Sequence, residues 1–291
     1  MMQIFKHAFS HTILFFCCFA VLLFTTCVPQ NMNDKVYLSR VFEYVYAPGQ
    51  HASLALPADT AFIIGDPALQ TNWMYLGGFG GYVVAGFPRN IPNGEGADIG
   101  VFALPGAGPE PAVVYVMQDE NGDGLPNETW YELKGSLLAE TDRNYTLTYY
   151  KPSQNEAHIK WKDNRGNSGV LVPGHGSNWS SGWWWSGNVV DSITFTGTRL
   201  PDVYTKSVVG GVDFWTVPAA SIAWGYAENK HGTDFNPETG TNDLDISNAI
   251  DESGNSVNIA HIRFVKLQTA VFQQAGMINE ISAEIRGVCG R

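Results

Sequence analysis

The chain has 291 residues, of which 44% are hydrophobic, 13% aromatic and only 15% charged. Its 17 Lys and Arg against 28 Asp and Glu leave a formal charge of −11, and no basic run interrupts the acidic balance. That argues against nucleic acid as a partner, since such binding depends on Lys and Arg neutralising phosphates. It suits solubility and cation binding instead.

The N-terminus has the clearest reading. Lys6 supplies a positive start, and residues 13–24 form a run of 12 apolar residues. A spanning helix needs roughly 20, so this run reads as the hydrophobic region of an export signal. It ends in Phe24, Thr25, Thr26 and Cys27, two small residues directly before a cysteine. The pattern resembles a lipobox, in which the cysteine thiol is diacylated and the peptide is cut just before it. Leu is more usual than Phe24 there, and Gly or Ala more usual than Thr26; the alternative is an ordinary secretory signal that happens to contain a cysteine. Residues 1–26 are therefore expected to be a lipoprotein signal peptide, Cys27 the lipid anchor, and residues 27–39 a polar tether. Residues 40–291 are expected to form one domain.

Of four cysteines, two fall in the signal and one at the proposed lipid site, which leaves Cys289. One cysteine cannot close an internal bridge, so no disulfide framework is expected. A mature chain of about 265 residues buries a sizeable core without one.

Past the tether, long helical periodicity is nearly absent. Short β-branched and aromatic runs alternate with Gly, Pro, Asn and Asp clusters, the pattern of an all-β sandwich. Strands are predicted over residues 36–46, 82–87, 99–103, 112–118, 145–151, 159–162, 192–196, 262–268 and 281–286. Residues 113–117 (VVYVM) are apolar at successive positions, which predicts a central strand covered on both faces. Residues 77–82 (GGFGGY) set four glycines around one Phe, a backbone suited to a turn or a close approach.

After residues 112–118 comes DENGDGLPNETWYEL. Asp119, Asn121 and Asp123 occupy positions 1, 3 and 5 of a D-x-N-x-D-G pattern, with Gly124 at the sharp turn and the Leu125 carbonyl at position 7. Alternate oxygen-bearing residues in a tight loop converge on one point, and a hard cation wants six to eight oxygens there. Position 12, where an EF-hand places a bidentate Glu, holds Trp130; Glu128 or Glu132 is expected to supply that carboxylate. The expected ion is Ca2+ in a structural role, and the competing expectation is an acidic turn in water with no ion. Two further acidic stretches, with Asp243, Asp245, Asp251 and Glu252 in one and Asp98 in the other, fit solvated turns better than a second site.

Residues 176–187 read GSNWSSGWWWSG, placing Trp179, Trp183, Trp184 and Trp185 in a Gly/Ser-rich loop just after His175. Indole faces beside polar groups suit stacking on sugars or flat macrocycles and also anchor interfaces. These five residues are the expected ligand contacts. The competing expectation is a hydrophobic plug over the end of the sandwich. No H-E-x-x-H, G-x-S-x-G, Walker or G-x-G-x-x-G element is present, so nothing in the sequence points to catalysis.

The stretches LGGFGGYVVAGFPRNIPNGEGADIGVF, VYVMQDENGDGLPNETWYELKGS, YTLTYYKP, WKDNRGNSG, FTGTRLP and GYAENKHGTDFN occur in order, followed by residues 244–285. As a set they resemble a family of Bacteroidota cell-surface lipoproteins across most of residues 40–288, and more loosely secreted jelly-roll modules that share the discoidin-like, galactose-binding β-sandwich, so the resemblance implies a jelly roll. The resemblance implies an outer-membrane surface lipoprotein, often encoded beside TonB-dependent receptors, with some such loci linked to cobalamin uptake. Asp119, Asn121, Gly124, Leu125 and Glu132 fit the family pattern, whereas Asn127 stands where Asp is expected. The resulting expectation is a non-enzymatic lipoprotein that captures a carbohydrate or cobalamin-like ligand for an outer-membrane uptake system. The alternatives are a structural or adhesive surface module and, further off, a glycan hydrolase.

The anchor is testable directly. Cys27→Ser should abolish palmitate labelling and leave the precursor uncut by the lipoprotein peptidase. Persistent labelling, or a mature N-terminus mapped elsewhere, would refute it.

Overall fold

The structure, a computed structural model, describes residues 35–49, 61–105, 108–153, 158–172, 191–218, 221–275 and 281–291. All of them belong to the compact unit Asn33–Arg291. In chain order the strands are β1 (Val36–Tyr37), β2 (Arg40–Val45), β3 (Met74–Tyr75), β4 (Tyr82–Pro92), β5 (Ile99–Ala103) and β6 (Ala112–Met117). They continue with β7 (Tyr131–Leu133), β8 (Asp142–Tyr150), β9 (Ile159–Asp163), β10 (Ser168–Leu171), β11 (Ser192–Arg199) and β12 (Thr205–Val209). The last are β13 (Val212–Thr216), β14 (Phe235–Asn236), β15 (Thr241–Leu244), β16 (Ala249–Ile250), β17 (His261–Thr269) and β18 (Glu284–Gly290). The described helical residues are confined to short 3-10 turns, and no described helix is long and apolar enough to cross a membrane.

The protein is an all-β sandwich. One sheet runs β1-β18-β5-β15-β14, with β3 also on β18; the second runs β16-β7-β6-β17-β4-β2; the third runs β10-β9-β8-β11. Their ladders are antiparallel. The first and second sheets close over a core that includes Val83, Ala85, Val101, Val114, Val116, Val265, Leu267, Ile285 and Val288.

The second sheet is covered on its other face as well. Val113 belongs to a separate cluster with Leu200, Val203, Ile222, Tyr226 and Val271, and Tyr115 packs against it. The apolar run at residues 113–117 thus sends alternate side chains into two cores, as its composition predicts. A third cluster, built on Phe79, Tyr145, Leu147, Tyr149, Ile159, Leu171 and Phe195, backs the third sheet.

The glycine-rich stretch before β4 holds these layers close. Gly80 has φ +90°, and a Cβ there would overlap Phe195 of β11. Phe79, 1% exposed, meets Tyr145 edge-to-face at 5.2 Å. Its carbonyl accepts from the Tyr149 hydroxyl at 2.9 Å.

Several predicted boundaries move. The run at residues 36–46 divides into β1 on the first sheet and β2 on the second, crossing at Leu38 and Ser39. The Leu38 N–H donates to Val288 and the Ser39 N–H to Gly86, at 3.4 and 2.9 Å, so successive residues bond to different sheets. Val36 and Leu38 are buried, so the fold reaches into the segment expected to be tether. The last strand begins at Glu284 rather than residue 281 and runs on past Gly287, pairing with β5 to Gly290 through a register shift. The hairpin β12–β13 escaped prediction although its signal was plain. Gly210 and Gly211, at φ +62° and +84°, form the two-residue turn that such a hairpin requires.

Candidate functional site

Three places carry chemistry. The first is the loop between β6 and β7. One carboxylate oxygen from each of Asp119, Asp123 and Glu128 lies within 4.8 Å of the others. The loop is shaped by its own side chains. Gly124 N–H donates to Asp119 Oδ2 at 3.2 Å, Asp123 N–H to Asn121 Oδ1 at 2.8 Å and Leu125 N–H to Asp123 Oδ1 at 2.8 Å. Gly124 turns the chain at φ +72°.

The Asn127 amide and then the Leu125 N–H hold the exposed Asp123 carboxyl below the usual range. Glu128 Oε2 is buried without a hydrogen-bond partner, and the Leu125 carbonyl accepts from Asn127 N–H at 3.0 Å. The donor set is all oxygen, which fits a hard cation, and Glu128 rather than Glu132 reaches the cluster.

The structure separates Glu132 from this loop. It sits on β7, 5% exposed, where its Oε2 accepts from the Thr198 hydroxyl at 2.5 Å and lies 3.6 Å from Arg143 Nε. Burial raises its carboxyl, opposed by the Thr198 hydroxyl and Arg143. The reason lies in the strand pleat. Glu132 pairs with Tyr115, and Tyr115 with Lys266, on the outward face of the second sheet. With Trp130, these residues line a cleft of about 180 Å³. Burial pushes the Tyr115 hydroxyl up to about 12 and lowers Lys266, whose ammonium lies 4.6 and 5.2 Å from the Tyr82 and Tyr115 ring centres.

The third place is a larger cleft of about 560 Å³, where the third sheet meets the segment after β17. Tyr145 of β8, Trp161 and Asp163 of β9, and Arg199 of β11 line it with Phe272. Trp161 and Phe272 meet edge-to-face, 5.0 Å apart at 89°, and the Arg199 guanidinium lies 5.2 Å from the Tyr145 ring. Asn167, Asp202, Gln273 and Gln274 add polar groups.

Asp163 ends β9 and organises the β9–β10 turn. It accepts from Asn167 N–H at 2.7 Å, Asn167 Nδ2 at 2.9 Å, Arg165 N–H at 3.0 Å and the Tyr145 hydroxyl at 2.9 Å. Burial works against its charge, yet the Asn167, Tyr145 and Arg165 bonds hold the carboxyl below the usual range.

His175, Trp179, Trp183, Trp184 and Trp185 lie outside the described residues, as does Cys27. The other acidic stretches behave as turns and caps. Asp98 accepts from Gly94 and Ile246 N–H groups, Asp245 from Ser247 N–H, and Asp251 from Ser253 and Asn255 N–H groups. Asp243 pairs with Arg291. The larger cleft was missed from sequence. Its one local signal was the repeated D-x-x-G-N turn, at residues 163–167 and 251–255, which marks a turn rather than a ligand. No protein-family model matches the chain, and no curated protein matches it either.

Whether the loop holds Ca2+ is tested by chelation. Ca2+ bound only to the folded state stabilises by about 2.7 kcal/mol at 100 times its Kd, or about 5–10 °C for a chain of this size. Chelation should lower the melting temperature of the full chain by that order, and Asp119→Ala with Asp123→Ala should shrink the difference. An equal chelator shift in the double variant would contradict a loop site.

Proposed function

We propose that this protein is a non-enzymatic outer-membrane surface lipoprotein that captures a carbohydrate for an uptake system with a TonB-dependent receptor as partner, on a β-sandwich stiffened by Ca2+ at the Asp119 loop. The observation that carries the ligand class is the cleft lined by Tyr145, Trp161, Asp163, Arg199 and Phe272. Its volume of about 560 Å³ lies within the range of small-molecule sites, roughly 300–1,000 Å³. Aromatic rings offer apolar surface for the C–H faces of a sugar. Asn167, Asp202, Gln273 and Gln274 add polar groups to the same lining.

The volume suits a mono- or disaccharide unit. A corrinoid, the other ligand the sequence brought forward, is too large to be enclosed and would have to lie across the mouth. The state of Asp163 argues against a role as general acid. A general acid needs a proton near neutral pH, whereas Asp163 accepts hydrogen bonds from three residues and is held charged. The lipid anchor at Cys27 rests on the N-terminal pattern, and the outer-membrane address on the resemblance to the surface-lipoprotein family.

A glycan array probed with the full chain, followed by titration of any sugar that binds, tests this reading. Asp202 is 55% exposed and pairs only with Arg199 among the ion pairs described, so Asp202→Ala should leave the melting temperature unchanged. Loss of a hydrogen bond from a sugar hydroxyl to this charge should weaken binding about tenfold, and Trp161→Phe should weaken it further. Absence of glycan binding by the wild type, or wild-type affinity in both variants, would overturn the proposal.

A further inference from the structure

The end of β6 opposite the Asp119 loop carries a second group of carboxylates. Glu110 stands two residues before β6, Glu228 follows Ala227, and Glu284 opens β18. Main-chain bonds hold these three segments together. Ala112 and Ala227 exchange N–H···O bonds of 3.0 Å, and Glu110 N–H donates to the Glu228 carbonyl at 3.2 Å. Glu284 N–H donates to Glu228 Oε2. One carboxylate oxygen from each of the three glutamates consequently lies within 4.8 Å of the other two.

Burial sets this group apart from a surface cluster. Glu228 is 0% and Glu284 5% exposed, and Glu228 Oε1 has no hydrogen-bond partner. The Lys230 ammonium stands 3.8 Å from that oxygen and also donates to the Gly108 carbonyl at 3.3 Å. Two carboxylates buried this deeply within reach of each other put negative charge in the interior, which is costly unless it is compensated. The group favours an added positive charge.

We propose that Glu110, Glu228 and Glu284 form a second, buried cation site that takes Ca2+. The donors are all oxygen, whereas Zn2+ sites are built mainly from nitrogen and sulfur. Mg2+ keeps several waters in a near-ideal octahedron, while Ca2+ accepts irregular sets of protein oxygens; two glutamates this deeply buried favour the second. An ion here links β18 of the first sheet to the start of β6 in the second, across the sandwich and at the end away from Asp119. It ties down the Glu228 segment as well, where a non-glycine residue sits at φ +56°.

The test counts bound 45Ca2+ by equilibrium dialysis of the full chain carrying Asp119→Ala and Asp123→Ala, which removes the loop site. One Ca2+ per chain should remain, and Glu284→Gln should weaken it about 100-fold or more, since ligand loss costs at least as much as losing a supporting contact. If that variant fails to fold, Glu110→Gln, at a half-buried position, should weaken the site at least about tenfold with the near-UV spectrum unchanged. No bound Ca2+ in the loop-deficient chain would overturn the proposal. So would unchanged affinity in Glu110→Gln and Glu284→Gln, or a stability that follows pH but not Ca2+.

Discussion

The layered arrangement depends on one constraint: β6 and β17 run through the middle of a sheet that is buried on both faces. Val114 and Val116 turn toward the first sheet, while Val113 and Tyr115 turn the other way. Burying a Val-sized side chain is worth about 1.5–3 kcal/mol relative to leaving it exposed, so neither face can be left to solvent without a large loss. A two-layer sandwich would leave the second face bare. The third sheet and the segments around Leu200, Ile222 and Val271 supply the missing cover.

That second contact is partly polar, and this fixes where the third sheet sits. Apolar packing alone tolerates sliding, whereas buried hydrogen-bonding groups need partners at set positions. Gln268 Nε2 donates to the Gly80 carbonyl at 2.8 Å and to the Thr196 carbonyl at 3.2 Å, so one side chain joins β17 to both the glycine stretch and β11. Thr198 N–H donates to the Tyr115 hydroxyl at 3.2 Å, and the Thr198 hydroxyl donates to Glu132. These bonds hold β11 in register over the central sheet. They thereby place Arg199 beside Tyr145 and Phe272, where the larger cleft forms. The cleft is a consequence of the seam.

Local pattern made part of this legible. The uninterrupted apolar run at residues 113–117 identifies a strand with two covered faces, and the D-x-N-x-D-G spacing brings Asp119 and Asp123 together because alternate residues of a tight loop point inward. Glycines around Phe79 mark a close approach. What stayed hidden depends on contacts between distant segments. The cleft joins Trp161 to Phe272, more than a hundred residues apart, through β9 and the tail of β17. Glu110 and Glu228 meet because residue 112 bridges residue 227, and Glu284 joins them through its N–H bond to Glu228. Glu132 looked like a loop ligand because sequence distance to Asp119 is short. Its strand pleat instead aims it at Thr198.

The central claim, that the middle of the second sheet is covered on both faces, is tested most directly by native-state hydrogen exchange on residues 113–117 and 264–268. A sheet enclosed by two cores exchanges its central amides only through global unfolding. The account predicts that these amides are the slowest in the chain and that their exchange free energies equal the unfolding free energy from denaturant titration. Exchange at lower free energy, through an opening that frees the third sheet while the first stays protected, would contradict it.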